Sequence, residues 1–164
     1  VAALEEFAAA MTTALAEDDH VLVEAAVVGR EVEIAVLESR PGERARASVA
    51  GEIVMTKAEF YDFEAKYLDD AADLVVPADL PADISDQVRA LAVRAFDALS
   101  CEGLARCDFF VDADGRVLIN EVNTMPGFTS ISMFPRVWQE TGVDYPTLVD
   151  RLVADALRRG TGLR

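Results

Sequence analysis

The stretch GLARCDFFVDADGRVLINEVN, residues 103–123, predicts a β-hairpin and with it the class of fold. Two runs rich in β-branched and aromatic residues flank residues 112–115, whose Asp-Ala-Asp-Gly sequence favours a tight turn. Strands joined by so short a turn are antiparallel. The hairpin therefore predicts an antiparallel sheet at the centre of the chain.

Alternation along the two strands predicts which side chains lie together. Successive side chains point to opposite faces of a strand, so Arg106, Asp108 and Phe110 should share one face. On the return strand, one face should carry Val117, Ile119, Glu121 and Asn123. The turn places Asp108 opposite residues 119–121 and Arg106 opposite residues 121–123.

The polar end of this hairpin favours one of two interpretations. Arg106, Asp108, Glu121 and Asn123 gather beside apolar neighbours, where polar groups need partners or a bound cation. Their acceptors are all oxygen atoms, and carboxylates with phosphate oxygens and water are what Mg²⁺ prefers. The alternative is a solvated strand end, in which Arg106 forms a salt bridge with Asp108. The hairpin alone leaves both open.

The loop MPGFTSIS, residues 125–132, directly follows Asn123. Gly127 allows the backbone to approach a reacting group closely. Ser132 stands just before a predicted helix, whose free N–H groups attract carboxylates. The alternative is an ordinary serine cap with a turn glycine.

The rest of the chain predicts an α+β fold, a largely antiparallel sheet flanked by helices. Three β-rich runs, residues 20–29, 30–39 and 46–54, follow an N-terminal amphipathic helix. A long polar and aromatic segment, residues 56–83, comes next. Helices are predicted at residues 83–98, 133–141 and 145–159.

Composition narrows the class of protein. The 164 residues are 52% hydrophobic, which suits one domain or a large piece of one. A net charge of −15 argues against a nucleic-acid partner, whose phosphates require basic patches. No apolar run approaches the roughly 20 residues of a membrane helix. The N-terminus lacks the pattern of a signal peptide, and the two cysteines suit a reducing compartment. We expect a cytoplasmic protein with no membrane partner.

At this point the residues match a family. The segments GLARCDFF (103–110) and NEVNTMPGFTSIS (120–132) resemble the hallmark of D-alanine–D-alanine ligases, and they most resemble actinobacterial members. Val23-Glu24, residues 29–31, residues 60–62 and Lys66-Tyr67 match further signatures in the same order. The resemblance implies the C-terminal region of an ATP-grasp enzyme over residues 1–164.

The resemblance implies a role for each matched residue. The substrates would be ATP and D-alanine, with two Mg²⁺ ions or Mn²⁺ in their place, and the full enzyme would be a homodimer that makes D-alanyl-D-alanine for peptidoglycan. Asp108, Glu121 and Asn123 would bind the metals, and Glu121 would bridge them. Arg106 and the Gly127 N–H would stabilise the oxyanion, Ser132 would hold the second substrate, and Tyr67 would lie on a closing loop. The ATP residues would be Glu24, Ala25 and Val27 for adenine, Glu31 for ribose, Lys66 for phosphate, Phe60 for the pocket wall, and also Phe110 and Asn120.

Two alternatives accompany this interpretation. Full members of the family are much longer, so we expect a C-terminal segment that alone lacks part of the site and is inactive. It would then act only as a nucleotide-binding fragment. Within the class, the alternative is a D-alanine–D-lactate ligase; those enzymes often carry a histidine where this chain has Lys66-Tyr67.

Overall fold

The computed structural model describes residues 1, 3–39, 43–55, 72–129 and 131–159. A 3₁₀ turn at Leu4–Glu6 leads into α1 (Phe7–Glu17), and later helices are α2 (Ala82–Ala98), α3 (Met133–Glu140) and α4 (Tyr145–Arg159). The strands are β1 (Arg30–Leu37), β2 (Arg46–Met55), β3 (Ala72–Val75), β4 (Leu104–Val111) and β5 (Val117–Asn123). In the described part of the chain the strands form one antiparallel sheet in the order β3-β2-β1-β4-β5. The predicted α+β class is therefore confirmed.

Helices cover both faces of the sheet. Helix α2 has an apolar stripe of Val88, Ala92 and Phe96 at four-residue spacing, which packs against Cys107 and Phe109 of β4. On the other face, α3 and α4 pack through Phe134, Val137, Trp138 and Leu148. The predicted polar face of β4 is the one on the side of α3 and α4.

A β-bulge in β5 decides which side chains share the polar face. Asp108 pairs with Glu121 and Phe109 pairs with Ile119, so Asn120 is an extra residue between the two pairs. Glu121 and Asn123 therefore lie on the face of Asp108. The prediction that Val117 and Ile119 share that face was wrong, because the bulge interrupts the alternation. The apolar pair beside the polar cluster is instead Phe110 with Leu118.

Residues 20–29 differ from the prediction as well. They were predicted to be the first of three β-rich runs, but residues 20–28 have no regular secondary structure and β1 begins at Arg30. Leu22 and Val28 are largely exposed. A strand requires a hydrogen-bonded neighbour, which sequence alternation cannot supply, and no described strand pairs with this segment.

The N-terminal helix forms at the predicted place without burying its apolar face. Leu4, Phe7 and Leu15 are exposed, and no residue of α1 is buried. The later helices agree with the predictions to within a residue. In the described residues no helix has the length and apolar character needed to cross a membrane.

Candidate functional site

The polar cluster is centred on Arg106, which lies between three carboxylates. Its Nε and NH2 atoms donate to the two oxygens of Asp108 at 2.8 and 2.7 Å. Nε also lies 3.3 Å from Glu33 Oε2, and NH2 lies 3.8 Å from Glu121 Oε1. The side chains of Arg106 and Asp108 are each 13% exposed, whereas Glu121 is 55% exposed. The cluster is thus closed on the side of β1 and open on the side of β5.

These neighbours keep Arg106 charged. Burial disfavours the cation, but the hydrogen bonds to Asp108 and the charges of Glu33, Asp108 and Glu121 outweigh it and raise the pKa of Arg106 above its ordinary value. Among the described residues, three carboxylates approach this one guanidinium, so these four groups together carry a net negative charge. Such a surplus in a partly enclosed place favours the binding of a further cation.

The three predicted metal ligands come to one face. Asp108 and Glu121 are direct cross-strand partners, and Asn123 is opposite Arg106. The Asn123 Oδ1 atom accepts a hydrogen bond from the Met125 N–H at 2.9 Å. Within the described residues no three His, Cys, Asp or Glu side chains are arranged to hold a metal. Both Asp108 oxygens face Arg106, yet each retains a further lone pair, so this set of oxygen ligands fits a hard cation.

The loop after β5 is folded onto Ser132. Ser132 occupies the N-cap position of α3 but makes no side-chain bond to the helix. Its Oγ accepts instead from the Thr129 N–H at 3.1 Å and lies 2.9 Å from Thr129 Oγ1. A Cβ on Gly127 would lie 3.0 Å from that same Oγ, so glycine permits the close approach. The alternative of an ordinary serine cap does not describe this arrangement.

Aromatic packing anchors the same loop. This packing was not predicted from the sequence. Phe128 packs against Phe134 and Tyr145 with tilted rings, whose centroids are 5.7 and 5.5 Å apart. The Tyr145 hydroxyl donates to the Phe128 carbonyl at 2.9 Å. Pro126 is buried. The start of α4 therefore helps to hold the loop beside the cluster, and no local pattern around Tyr145 indicated this.

The residues predicted to bind the nucleotide lie in different parts of the structure. Glu31 of β1 is opposite Phe110 of β4, and on the polar face this pair is the next one along from Glu33 and Asp108. Asn120, the bulge residue, is exposed. Glu24, Ala25 and Val27 lie in the exposed irregular segment that leads into β1. Phe60, Lys66 and Tyr67 lie outside the described residues.

Glu33 is the residue of the cluster that sequence reasoning left out. It is buried, lies opposite Asp108 in the β1–β4 pair and approaches Arg106. The alternation Glu31-Val32-Glu33-Ile34 already put Glu33 on the face of Glu31. The sequence did not indicate that this face of β1 lies beside Asp108 and Arg106, because that follows from the pairing of β1 with β4.

An antiparallel sheet with helices on both faces, and with this cluster at its β4–β5 hairpin, is consistent with the C-terminal region of an ATP-grasp protein. The family model described as "D-ala D-ala ligase C-terminus" matches residues 1–154. The chain therefore belongs to the D-alanine–D-alanine ligase family.

Individual relatives agree with this assignment. The chain is 61% identical over 163 residues to the D-alanine--D-alanine ligase of Nocardia farcinica, covering 95% of the chain and 44% of that protein. It is 55% identical to that of Mycobacterium ulcerans, covering 100% of the chain and 45% of the relative. The chain thus spans less than half the length of these relatives.

Solved structures show the same fold. The D-alanine-D-alanine ligase of Coxiella burnetii superposes with a TM-score of 0.82 at 36% identity, over 97% of this chain and 40% of that one. The VanG D-Ala:D-Ser ligase of Enterococcus faecalis gives 0.80 at 32% identity, over 93% and 43%. The Bacillus anthracis D-alanine--D-alanine ligase complexed with ATP gives 0.78 at 25% identity, over 96% and 48%.

Proposed function

We propose that the protein at full length joins two D-alanines into D-alanyl-D-alanine for peptidoglycan, using ATP. The observation that carries this proposal is the position of Arg106 between Asp108 and Glu121, on the hairpin that runs directly into the Gly127–Ser132 loop. Cation-binding carboxylates, a fixed guanidinium and a loop with close backbone approach are what phosphoryl transfer followed by acyl transfer requires.

Asp108, Glu121 and Asn123 would hold two Mg²⁺ ions, or Mn²⁺, through their side-chain oxygen atoms. When bound, such ions spread the charge of the phosphoryl group during its transfer. The support is the shared face of the three side chains and the net negative charge of Arg106 together with the carboxylates that approach it in the described part of the chain.

ATP would lie along the polar face of β1 and β4. Glu31 would bind the ribose, with Phe110 beside it and Asn120 at the rim. Glu24, Ala25 and Val27 precede β1 and would meet adenine. Phe60 and Lys66, outside the described residues, would complete the nucleotide site. The adjacency of Glu31, Phe110 and Asp108 supports this direction, because it puts the ribose ligand next to the phosphate end.

The acyl transfer would occur beside the loop. One D-alanine carboxylate takes the γ-phosphoryl group of ATP and becomes an acyl phosphate, which releases ADP. The neutral amine of the second D-alanine then attacks the acyl carbon, and phosphate leaves with the electrons of the broken C–O bond and takes up the proton that the nitrogen loses. Arg106 and the Gly127 N–H would stabilise the oxyanion of that step, Ser132 would bind the second carboxylate, and Tyr67 would help to exclude water.

We further propose that the full-length protein is a cytoplasmic homodimer.

The alternative of D-alanyl-D-lactate synthesis is less favoured, since the named curated relatives are D-alanine--D-alanine ligases.

The proposal is tested by D-alanine-dependent ADP release from the full-length protein, with the dipeptide identified by mass spectrometry. Parallel reactions offer D-lactate or D-serine as the second substrate. We expect turnover with D-alanine and little incorporation of the others. ADP release that does not depend on D-alanine, or a preference for D-lactate, would contradict the proposal. Asp108→Asn should abolish turnover, whereas the matched change Asp112→Asn in the turn should not.

A further inference from the structure

We propose that Glu33 is a positioning residue, which holds the guanidinium of Arg106 when Asp108 turns its oxygens to a bound cation. This inference rests on the metal site of the proposed function. It gives a role to a buried carboxylate that none of the proposed steps uses.

Arg106 lies within reach of both acids. Its Nε atom is 2.8 Å from Asp108 Oδ1 and 3.3 Å from Glu33 Oε2. Both carboxylates are well enclosed, with side chains 13% and 7% exposed. A small rotation of the guanidinium would therefore exchange one acceptor for the other without moving it into solvent.

The register of the sheet produces this arrangement. Glu33 lies opposite Asp108, and Ala35 lies opposite Arg106. Because alanine is small, the arginine stem can lie against β1, and its head reaches the diagonal neighbour Glu33. On the other side of Glu33, its β2 partner is Gly51, which Met133 of α3 contacts closely. Met133 therefore packs on the β2 side of Glu33, while Arg106 approaches it from the β4 side.

A cation at Asp108 would compete with Arg106. The guanidinium donates to both Asp108 oxygens, so a cation bound at either oxygen would repel the charge of Arg106 and weaken its hydrogen bonds to that carboxylate. An enclosed arginine that loses its hydrogen-bond acceptor carries a large free-energy penalty, because its charge is left unpaired away from water. With Glu33 as second acceptor, most of that penalty is avoided, so cation binding and the Arg106–Glu33 contact should be coupled.

The coupling is measured through Mn²⁺ binding, followed by the electron paramagnetic resonance of free Mn²⁺ in the full-length protein. We expect Glu33→Gln to weaken Mn²⁺ binding about tenfold, a change typical of one lost charged contact. Glu33→Asp keeps the charge but shortens the side chain, so it should weaken binding nearly as much. The matched control is Glu52→Gln, which removes a similarly buried strand carboxylate that pairs with Arg30 on the α2 face. It should change binding less than about twofold.

A double-mutant cycle separates positioning from simple attraction between charges. In an Arg106→Ala background there is no guanidinium to hold, so Glu33→Gln should then weaken Mn²⁺ binding by only about twofold. An equal effect in both backgrounds would overturn the inference, as would wild-type affinity in Glu33→Asp. Circular dichroism at the assay temperature shows whether each variant is folded. If Glu33→Gln does not fold, the comparison is made with Glu33→Asp.

The same data separate two kinds of failure. Wild-type protein that binds no Mn²⁺ would overturn the proposed metal site and the inference with it. Wild-type protein that binds Mn²⁺, with binding unchanged in every Glu33 variant, would overturn the inference alone.

Discussion

Among single residues, Arg106 has a structural role and a proposed catalytic role, and substitutions can separate the two. Arg106→Ala removes the cation from three carboxylates, so stability should fall, and it also removes the proposed oxyanion donor. We expect turnover of folded full-length enzyme to fall about a hundredfold or more, while ATP affinity changes much less.

Arg106→Lys is the matched variant. Lysine restores the charge, so melting temperature should largely recover, but its point charge cannot reproduce the planar fork. Turnover should therefore stay about a hundredfold low. Recovery of turnover together with stability would show that Arg106 acts only through its charge balance.

Cys107 illustrates a residue whose environment sets a pH dependence. Burial, followed by the nearby charge of Asp108, raises the pKa of the Cys107 thiol from 9.0 to about 12. The folded protein binds this proton more tightly than the unfolded chain. The stability due to Cys107 is therefore complete below about pH 9 and is lost as pH rises toward 12.

This dependence is measurable by urea unfolding between about pH 8 and about pH 10.5. Cys107→Ala should lose less stability over that range than the wild type. The part-buried Cys101 supplies the comparison, since Cys101→Ala should retain most of the wild-type slope. Identical slopes in the wild type and in Cys107→Ala would contradict the prediction.

At the scale of elements, Gly51 controls how closely α3 packs on β2. A Cβ at residue 51 would overlap Met133 Sδ and would lie 2.9 Å from Val137 Cγ1. We expect Gly51→Ala to lower stability by about 1–3 kcal/mol, the usual cost of overpacking a core. Met133→Ala should relieve part of this, so the double variant should be more stable than the sum of the single changes predicts.

Gly142→Ala is the control for backbone strain. Gly142 has a φ of 89°, and in the described part of the chain no atom beyond its sequence neighbours lies within 4 Å of the position that a Cβ would take. Alanine there is therefore strained without a clash. Thermal unfolding should show that Met133→Ala does not relieve Gly142→Ala. If Met133→Ala restores the stability of Gly51→Ala and of Gly142→Ala equally, the loss of stability in Gly51→Ala does not come from local packing against Met133.

At the scale of the whole molecule, the described residues form one layered body with a partly open site. The chain spans 44% of the Nocardia farcinica relative, so a complete site should need residues beyond these 164. We expect the 164 residues expressed alone to release no D-alanine-dependent ADP, whereas the full-length protein should. Measurable dipeptide from the isolated segment would contradict this expectation.

Local pattern was enough to predict much of this organisation. The turn at residues 112–115 and the alternation of β4 indicated the hairpin, and the helix predicted at residues 83–98 corresponds to α2 at Ala82–Ala98. Hairpin register follows from chain geometry over a few residues, so the pairing of Asp108 with residues near 121 was predictable.

Long-range pairing was not predictable in the same way. The bulge at Asn120 keeps Glu121 on the polar face and Val122 opposite the buried Cys107, a choice made by packing on both faces. Residues 20–28 have the alternation of a strand but no described neighbour to pair with, so local propensity did not decide their structure.

The order of amino acids along the chain was enough to predict the hairpin at residues 103–123, the helices after residue 82 and the type of ligand gathered on the hairpin, because these depend on periodicity and on neighbours close along the chain. Only the tertiary structure decided that Glu33 meets Arg106 and that Tyr145 anchors the loop at Phe128. Glu33 and Arg106 are 73 positions apart in the sequence. Contacts over such separations arise when the sheet and its covering helices pack together, and no local pattern encodes which strand becomes the neighbour.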